Sequence, residues 1–325
     1  MIDAGARRER VRATLLVAFS ACCFGSISPL TMIALESGVA LQGIQAWRYI
    51  TTAVLLMMYA AWRPAARRPV VVGARAFDVE PWYAPRVLLV AGGGQAAVAT
   101  LALLSLRWIP ASTAAFLFYT YPAWVAIMFA VRGVEPLSRT RVLALLMALG
   151  GIVAMVGAPT TATLNATGVV VILIGALVYA CYIPVLSALQ RPRTALDVAR
   201  SIAVGGAVLF VTWALVTGTL FAQHDLRSMG ASVLQGVLSA GAFLGFLTGL
   251  ARLGAVRTAI TSTIEPFWTT LLGAVVLGQP IGGGTLLGGG AIMGAVILLQ
   301  RSNVALPRLH SSSSHEADQT GLPTP

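Results

Sequence analysis

Ten long apolar stretches dominate this sequence, and their length limits what the chain can fold into. They lie at 13–35, 41–62, 86–106, 111–131, 141–158, 167–189, 197–217, 231–250, 255–277 and 284–300. A helix of about 20 mostly apolar residues spans the hydrocarbon core of a bilayer. The pattern therefore predicts an all-α integral membrane protein with ten transmembrane helices.

The composition excludes the main soluble alternatives. Only 10% of the 325 residues are charged and 57% are hydrophobic, whereas about a quarter of an average soluble domain is charged. The three cysteines all fall inside apolar stretches, and the three histidines lie in a loop or in the tail. We therefore expect no disulfide framework, no metal site and no cofactor.

The arginines indicate how the helices are oriented. All 22 basic residues are arginine, and in a membrane protein such an excess favours a role in topology over nucleic-acid binding. If the N-terminus is cytoplasmic, 19 arginines fall in cytoplasmic segments and two, Arg107 and Arg227, in outer loops. Cytoplasmic loops of membrane proteins are enriched in arginine. Both termini are therefore predicted to be cytoplasmic, in the inner (plasma) membrane.

The sequence also repeats itself. Residues 109–153 align without gaps to 253–297, at an offset of 144. A Pro-x-Trp pattern starts at Pro122 and again at Pro266, and each has another proline 14 residues later. Each half then holds five helices, an odd number, so the second half enters the membrane inverted. Inverted repeats are typical of secondary transporters, whose substrate site lies at the repeat interface near the midplane.

Several short motifs occur in order along the chain. They are Phe24-Gly25, Arg48, Pro122 with Gly133-Val134-Glu135-Pro136, Gly150-Gly151, Pro266 with Leu277-Gly278-Gln279-Pro280, and Gly288-Gly289-Gly290. With these motifs the chain resembles the EamA family of the drug/metabolite transporter superfamily over about residues 13–300. Gln279 stands where the family usually has Glu, and Phe24 where many members have Trp. The resemblance implies a ten-helix inner-membrane carrier, usually an exporter of amino acids, related metabolites or drugs.

The resemblance and the repeat together define the expected domain organisation. Residues 1–12 are predicted as a cytoplasmic segment, 13–158 as the first repeat and 167–300 as the second. A linker at 159–166 joins the repeats, and 301–325 form a disordered cytoplasmic tail rich in Ser and Pro.

Glu265 is the strongest candidate for a functional residue. It is the only acid deep inside an apolar stretch, immediately before Pro266. A carboxylate at membrane depth costs several kcal/mol unless it is paired, hydrated or protonated. Two roles are open: Glu265 binds a substrate ammonium group or carries a proton, or it is a structural partner of an arginine or of the backbone near Pro266.

Other polar residues of the ninth stretch share the spacing of one helix face. They are Thr258, Thr261, Ser262, Glu265, Trp268 and Thr269. Spacings of three and four place them together, so the face is expected to line a cavity or a helix contact. Alternatively, the hydroxyls bond back to the carbonyls of the preceding turn.

The fourth stretch carries aromatic residues where the ninth is polar. Tyr121 corresponds to Glu265 and Trp124 to Trp268. Tyr119 lies in the same stretch, Phe24 in the first, and Tyr179 and Tyr182 in the sixth. These rings are candidates for contacting a ring or a cation of the solute; packing alone is the alternative for each.

Three further polar residues lie inside apolar stretches. Gln95 and Ser28 are candidate hydrogen-bonding partners of a substrate or of a neighbouring helix. Arg48 requires a carboxylate, a carbonyl or water, or it extends to the outer interface. Pro29, Pro122, Pro184 and Pro266 are expected to bend or weaken their helices.

These features together predict a secondary transporter that exports a small amphipathic metabolite by alternating access. Its expected partners are the small-molecule substrate, the lipid bilayer and protons as a candidate coupling ion, with no nucleic acid and no obligate protein partner. With one deep acid and no membrane histidine, we expect no enzyme. A carrier of sugar nucleotides or phosphate esters, and a non-transporting membrane assembly protein, are the alternatives.

Overall fold

The chain is helical throughout the residues that the structure describes. The computed structural model describes residues 4–62, 84–105, 107–109, 111–134, 138–156, 165–190, 193–221, 225–278 and 282–301. Within these ranges there are thirteen α-helices and no β-strand. The helices are α1 (Ala4–Gly25), α2 (Ile27–Glu36), α3 (Leu41–Trp62), α4 (Ala84–Ser105), α5 (Ala111–Phe118), α6 (Tyr121–Val131), α7 (Arg139–Val156), α8 (Ala166–Leu189), α9 (Ala195–Val216), α10 (Leu226–Leu253), α11 (Ala255–Thr261), α12 (Ile264–Leu277) and α13 (Gly283–Arg301).

The prediction of an all-α protein is confirmed, and each predicted apolar stretch is helical over most of its described residues. Five segments of the described chain are long and apolar enough to cross a membrane: Arg7–Glu36, Thr113–Val131, Ala166–Leu189, Ala195–Val216 and Leu226–Leu253. Two shorter apolar helices are Arg86–Ala102 and Gly283–Leu299. The predicted count of ten spans therefore stays a prediction. Most of the predicted linker and nearly all of the predicted tail lie outside the described residues.

Three of the predicted helices are divided into two. The divisions separate α1 from α2, α5 from α6 and α11 from α12. Pro29, Pro122 and Pro266 each lie in the first turn of the second helix of their pair. A proline is tolerated there because the first backbone N–H groups of a helix have no partner within it. Pro184, by contrast, lies inside α8 without dividing it.

Close helix packing brings the two halves of the chain together. The main pairs are α1 with α10, α3 with α9 and α10, α4 with α8 and α9, and α7 with α13. Small residues allow this approach: a Cβ on Gly249 would lie 2.1 Å from Cγ2 of Val17, and one on Gly288 would lie 2.2 Å from the Gly151 carbonyl oxygen. The core therefore lies between the halves, and residues of both contribute to its largest cluster.

The start of α10 is fixed by a capping aspartate. One carboxylate oxygen of Asp225 accepts a hydrogen bond from the backbone N–H of Ser228 at 2.8 Å, and the other accepts one from the Ser37 hydroxyl at 3.2 Å. The hydrogen bonds from Ser228 lower the pKa of the Asp225 carboxyl. A salt bridge of 3.6 Å between Arg227 and Glu36 lies beside this cap. The turn after α2 is thus held to the first turn of α10.

Candidate functional site

Glu265 lies at the start of α12, just after the division between α11 and α12, where its side chain faces other helices. α11 ends at Thr261 and α12 begins at Ile264, so Glu265 is the second residue of α12. The unpaired backbone N–H groups at a helix N-terminus favour a negative charge in the first turn. Glu265 is partly buried there. The local sequence therefore places a carboxylate where the protein interior can accommodate it.

A second divided helix supplies a partner for this carboxylate. Tyr119 follows the last residue of α5, in the turn before α6, and is 8% exposed. Its side chain lies beside that of Glu265. The break in the fourth predicted stretch and the break in the ninth therefore meet at two residues that are 146 positions apart in the sequence.

Four aromatic rings, those of Phe118, Tyr119, Tyr121 and Tyr179, form what we call the aromatic cluster. Phe118 stacks on Tyr179 with ring centroids 5.6 Å apart, and Tyr121 meets Tyr179 edge-on at 4.7 Å. Tyr119 lies 5.9 Å from Phe118 and 6.3 Å from Tyr121. Such rings present negative faces, which attract cations, and hydroxyl groups, which form hydrogen bonds.

The third divided helix, formed by α1 and α2, packs against the other side of the segment that holds Glu265. The indole N–H of Trp268 donates to the Ser26 hydroxyl at 2.9 Å, and the Thr269 hydroxyl donates to the Gly25 carbonyl at 2.9 Å. A Cβ on Gly25 would lie 2.8 Å from the Glu265 carbonyl oxygen. The approach between the α1–α2 turn and the first turns of α12 thus requires glycine. All three divided helices meet around Glu265.

The structure brings five of the predicted site residues into one group. These are Glu265, Ser262, Tyr119, Tyr121 and Tyr179, and the Tyr121 hydroxyl donates to the carbonyl of Ala259, three residues before Ser262, at 3.5 Å. Trp268 and Thr269 adjoin this group through their bonds to the α1–α2 turn. Whether these residues bind a solute stays a prediction; the structure shows that they are neighbours.

Five other predicted residues have their contacts elsewhere. The Tyr182 hydroxyl donates to the Ala91 carbonyl, so this side chain joins α8 to α4. Phe24 meets Phe243 of α10 edge-on at 5.5 Å. Trp124 is 42% exposed and therefore lies outside the buried cluster. The remaining two are Ser28, which is exposed on α2, and Gln95, which is partly buried on α4.

Hydroxyl side chains of the ninth stretch form hydrogen bonds within their own helices. The connecting residues Ser262 and Thr263 keep right-handed helical backbone angles, so the common polar face of this stretch stays a prediction. The hydroxyls of Thr258 and Ser262 donate to the carbonyls of Gly254 and Thr258, at 2.8 and 3.0 Å. Thr269 likewise bonds to the Glu265 carbonyl at 3.0 Å. These hydroxyls thus donate hydrogen bonds to backbone carbonyls of the preceding turn, as serine and threonine in apolar surroundings tend to do.

Three residues of the site were missing from the predicted set. Phe118 contributes a ring to the aromatic cluster. Ser26 bonds Trp268, and Cys22 of α1 lies within electrostatic reach of Glu265. Phe118 had a signal in the sequence, because it corresponds to Ser262 at the repeat offset of 144. Ser26, like Ser28, is a polar residue inside an apolar stretch and so had a signal as well, whereas nothing in the sequence around Cys22 predicts its position near α12.

Comparisons with known proteins agree with this fold. The family model of the EamA-like transporter family matches residues 166–301. No curated protein matches the chain. Among 29 matching chains of solved structures, one crystal structure covers 88% of this chain and 95% of its own, with a TM-score of 0.69 and 19% sequence identity. At that identity the likeness shows a shared fold only.

Proposed function

Because residues 166–301 place this multi-pass membrane protein in the EamA-like transporter family of the drug/metabolite transporter superfamily, we propose that it is a secondary transporter of small amphipathic solutes. Transporters of this family bind small molecules within the membrane. Amino acids, related compounds and cationic drugs are the proposed solutes, and export is the proposed direction.

The position of Tyr119 beside Glu265, where three divided helices meet, is the observation that carries this proposal. Divided helices frame the substrate and ion sites of many secondary transporters. A carboxylate inside a membrane protein marks a substrate or ion pathway unless it is a structural partner. In the proposed mechanism Glu265 pairs with a substrate ammonium group, and the aromatic cluster contacts the cationic or apolar part of the solute.

The packing of the helices supports the proposed inverted repeat. Exchanging the halves 13–158 and 167–300 converts the pair α1–α10 into α8–α4, and α3–α10 into α9–α4. The pairs α3–α9 and α7–α13 map onto themselves. A two-fold axis between the halves produces such a pattern of contacts. In the proposal this axis lies in the membrane plane and relates two units of five spans.

Movement of the divided helices would open the site alternately to each side of the membrane. At each division the proline cannot donate a backbone hydrogen bond to the preceding turn, so the helix bends there at lower cost. The sequence has no ATP-binding motif, so we propose coupling to a proton gradient through Glu265. The arginine distribution favours the inner membrane with both termini cytoplasmic.

Reconstitution into liposomes tests the proposal. The purified chain is tested with radiolabelled amino acids, sugars and cationic drugs, with and without a pH gradient. We expect concentration-dependent, saturable movement of amines or amino acids that exceeds that in empty liposomes. Absence of transport for every solute class, by protein shown to be folded, would contradict a transporter and favour an assembly role.

A matched pair of variants tests the role assigned to Glu265. Glu265→Gln removes the charge at the site, whereas Glu36→Gln makes the same change in the exposed salt bridge to Arg227. Transport per folded molecule should be lost in the first variant and retained in the second. Equal transport by both at every pH tested would remove Glu265 from the mechanism.

A further inference from the structure

A second group of buried polar side chains lies between α3 and α10, outside the site around Glu265. On α3, Arg48 is 5% exposed and Gln45 is 7% exposed. On α10, Gln235 and Ser239 are fully buried, and their spacing of four places them on one helix face. We call Gln45, Arg48, Gln235 and Ser239 the buried polar seam.

Contacts between the two helices fix the register of the seam. The Thr52 hydroxyl donates to the carbonyls of Arg48 and Gly236, at 2.8 and 3.0 Å. The Arg48 carbonyl oxygen would lie only 2.7 Å from a Cβ on Gly236. Arg48 is therefore level with Gln235, the residue next to Gly236. From α2, the Thr31 hydroxyl reaches Oε1 of Gln235 at 3.3 Å, so the seam is enclosed by a third helix.

Each member of the seam has a polar atom without a hydrogen-bond partner. These atoms are Oε1 of Gln45, Nε of Arg48, Nε2 of Gln235 and Oγ of Ser239. Buried polar atoms are almost always hydrogen-bonded, and an exception requires an explanation. Four such atoms on two facing helix surfaces indicate a group that the chain itself does not supply.

Arg48 is the member of the seam that most clearly lacks a partner of opposite charge. Nη2 of Arg48 donates to the Tyr49 hydroxyl at 3.2 Å, and the guanidinium lies 4.7 Å from the centre of the Tyr49 ring. Within the described part of the chain, no carboxylate pairs with it. The other buried arginines there, Arg141 and Arg257, each have further interactions. A buried cation inside a membrane protein is expected to meet an opposite charge.

The hydrogen-bonding capacity of the seam's unpaired polar atoms indicates which kind of group they would bind. Arg48 and Gln235 offer N–H donors and Ser239 offers a hydroxyl donor, whereas Gln45 alone offers an acceptor. A set rich in donors and positively charged fits a carboxylate, which only accepts hydrogen bonds. We propose that the buried polar seam binds the carboxylate of the transported solute. This inference rests on the proposed transport function and narrows the solutes to those that carry a carboxylate as well as an amine.

Aromatic side chains separate the seam from the site around Glu265. Tyr49, beside Arg48, lies 6.4 Å from Phe243, and Phe243 lies 5.5 Å from Phe24. Phe24 precedes Gly25, which touches the first turn of α12. The buried polar seam is thus a binding position separate from the site around Glu265. A substitution in the seam should leave the recognition of the ammonium group intact.

The experiment compares each amino acid with the amine that lacks its carboxylate. The pairs are phenylalanine with phenethylamine, leucine with 3-methylbutylamine, and lysine with cadaverine. Apparent affinities are measured in liposomes by competition against a labelled member of each pair. The variants are Arg48→Gln, Arg48→Lys and, as a surface control on α10, Arg227→Gln, which removes an arginine that is 64% exposed.

We expect the wild-type protein to prefer the amino acid of a transported pair by about tenfold or more, the factor expected from a charged hydrogen bond. Arg48→Gln should abolish this preference by weakening the amino acid only, Arg48→Lys should keep part of it, and Arg227→Gln should keep all of it. If Arg48→Gln kept the preference for the amino acid, or lost apparent affinity equally for both members of a pair, the seam would not bind the carboxylate. Either result would leave the proposed transport function intact.

Two further outcomes separate this inference from the function on which it rests. If no member of any pair is transported, the proposed function fails and the seam fails with it. If Arg48→Gln does not fold, the wild-type measurement decides: equal apparent affinities for an amino acid and its amine would contradict carboxylate binding.

Discussion

The α5–α6 break and the α11–α12 break occur at the same sequence motif but present side chains of different chemistry. Each lies directly before a proline, Pro122 or Pro266, at the repeat offset of 144. The first presents aromatic rings around Tyr121, whereas the second presents Glu265 at the corresponding position. The two breaks thus share their place in the repeat, whereas the side chains that they present differ.

Loss of the charge at the α11–α12 break should have the largest effect. Glu265→Gln is expected to keep the fold, because glutamine preserves size and hydrogen bonding, and to lower transport by at least about a hundredfold, the scale for losing a buried charge interaction. Glu265→Asp should retain part of the activity. The measurement is initial transport rate divided by folded protein from size-exclusion chromatography; an unchanged normalised rate would mean that the two breaks do not differ in function.

Removing the hydroxyl that joins the two breaks should have the next largest effect. Tyr119→Phe keeps the ring in the aromatic cluster but removes the hydroxyl that lies beside Glu265. Hydrogen bonds to charged groups contribute about 1.5–3 kcal/mol, so apparent solute affinity should fall by roughly tenfold or more. Phe118→Leu serves as a control that alters the cluster without touching Glu265. A larger loss in the control would show that the rings matter more than the Tyr119 hydroxyl.

The contact between the α1–α2 turn and α12 can be tested by adding one methyl group. In Gly25→Ala, Cβ would lie 2.8 Å from the Glu265 carbonyl oxygen, which belongs to the backbone and cannot rotate away. Overpacking of this kind costs about 1–3 kcal/mol. Thermal stability should fall, whereas Gly93→Ala, whose Cβ would meet nothing within 4 Å, should leave it unchanged or slightly raised. Equal stability of both variants would contradict the tight approach.

The smallest effect concerns an acid that lies at an ordinary helix end. The pKa of Asp225 is lowered by its bonds to Ser228, so its stabilising contribution is present above its unfolded value and is lost as pH falls through the folded value. Thermal unfolding followed from pH 6 downward to about pH 3 should show a small loss that Asp225→Asn lacks, because asparagine still caps the helix without titrating. The same loss in that variant would assign the acid sensitivity to another group.

Much of this architecture follows from the sequence alone. The apolar stretches predict the helices closely because only a helix satisfies every backbone polar group in a lipid environment. Glu265 stands out for a related reason: a lone acid in an apolar stretch is costly wherever the helix points. Both inferences depend on local composition, which the sequence contains in full.

Only the tertiary structure decided which side chains meet. The sequence suggested one polar face for the ninth stretch, and it ranked Trp124 and Tyr182 with Tyr119 and Tyr179. Trp124 is 42% exposed, whereas Tyr119 is buried beside Glu265. Helix spacing predicts which residues share a face, but not which neighbouring segment that face meets. Arg48 and Gln235 likewise share the buried polar seam because α3 packs on α10, a pairing of distant segments that no local pattern specifies.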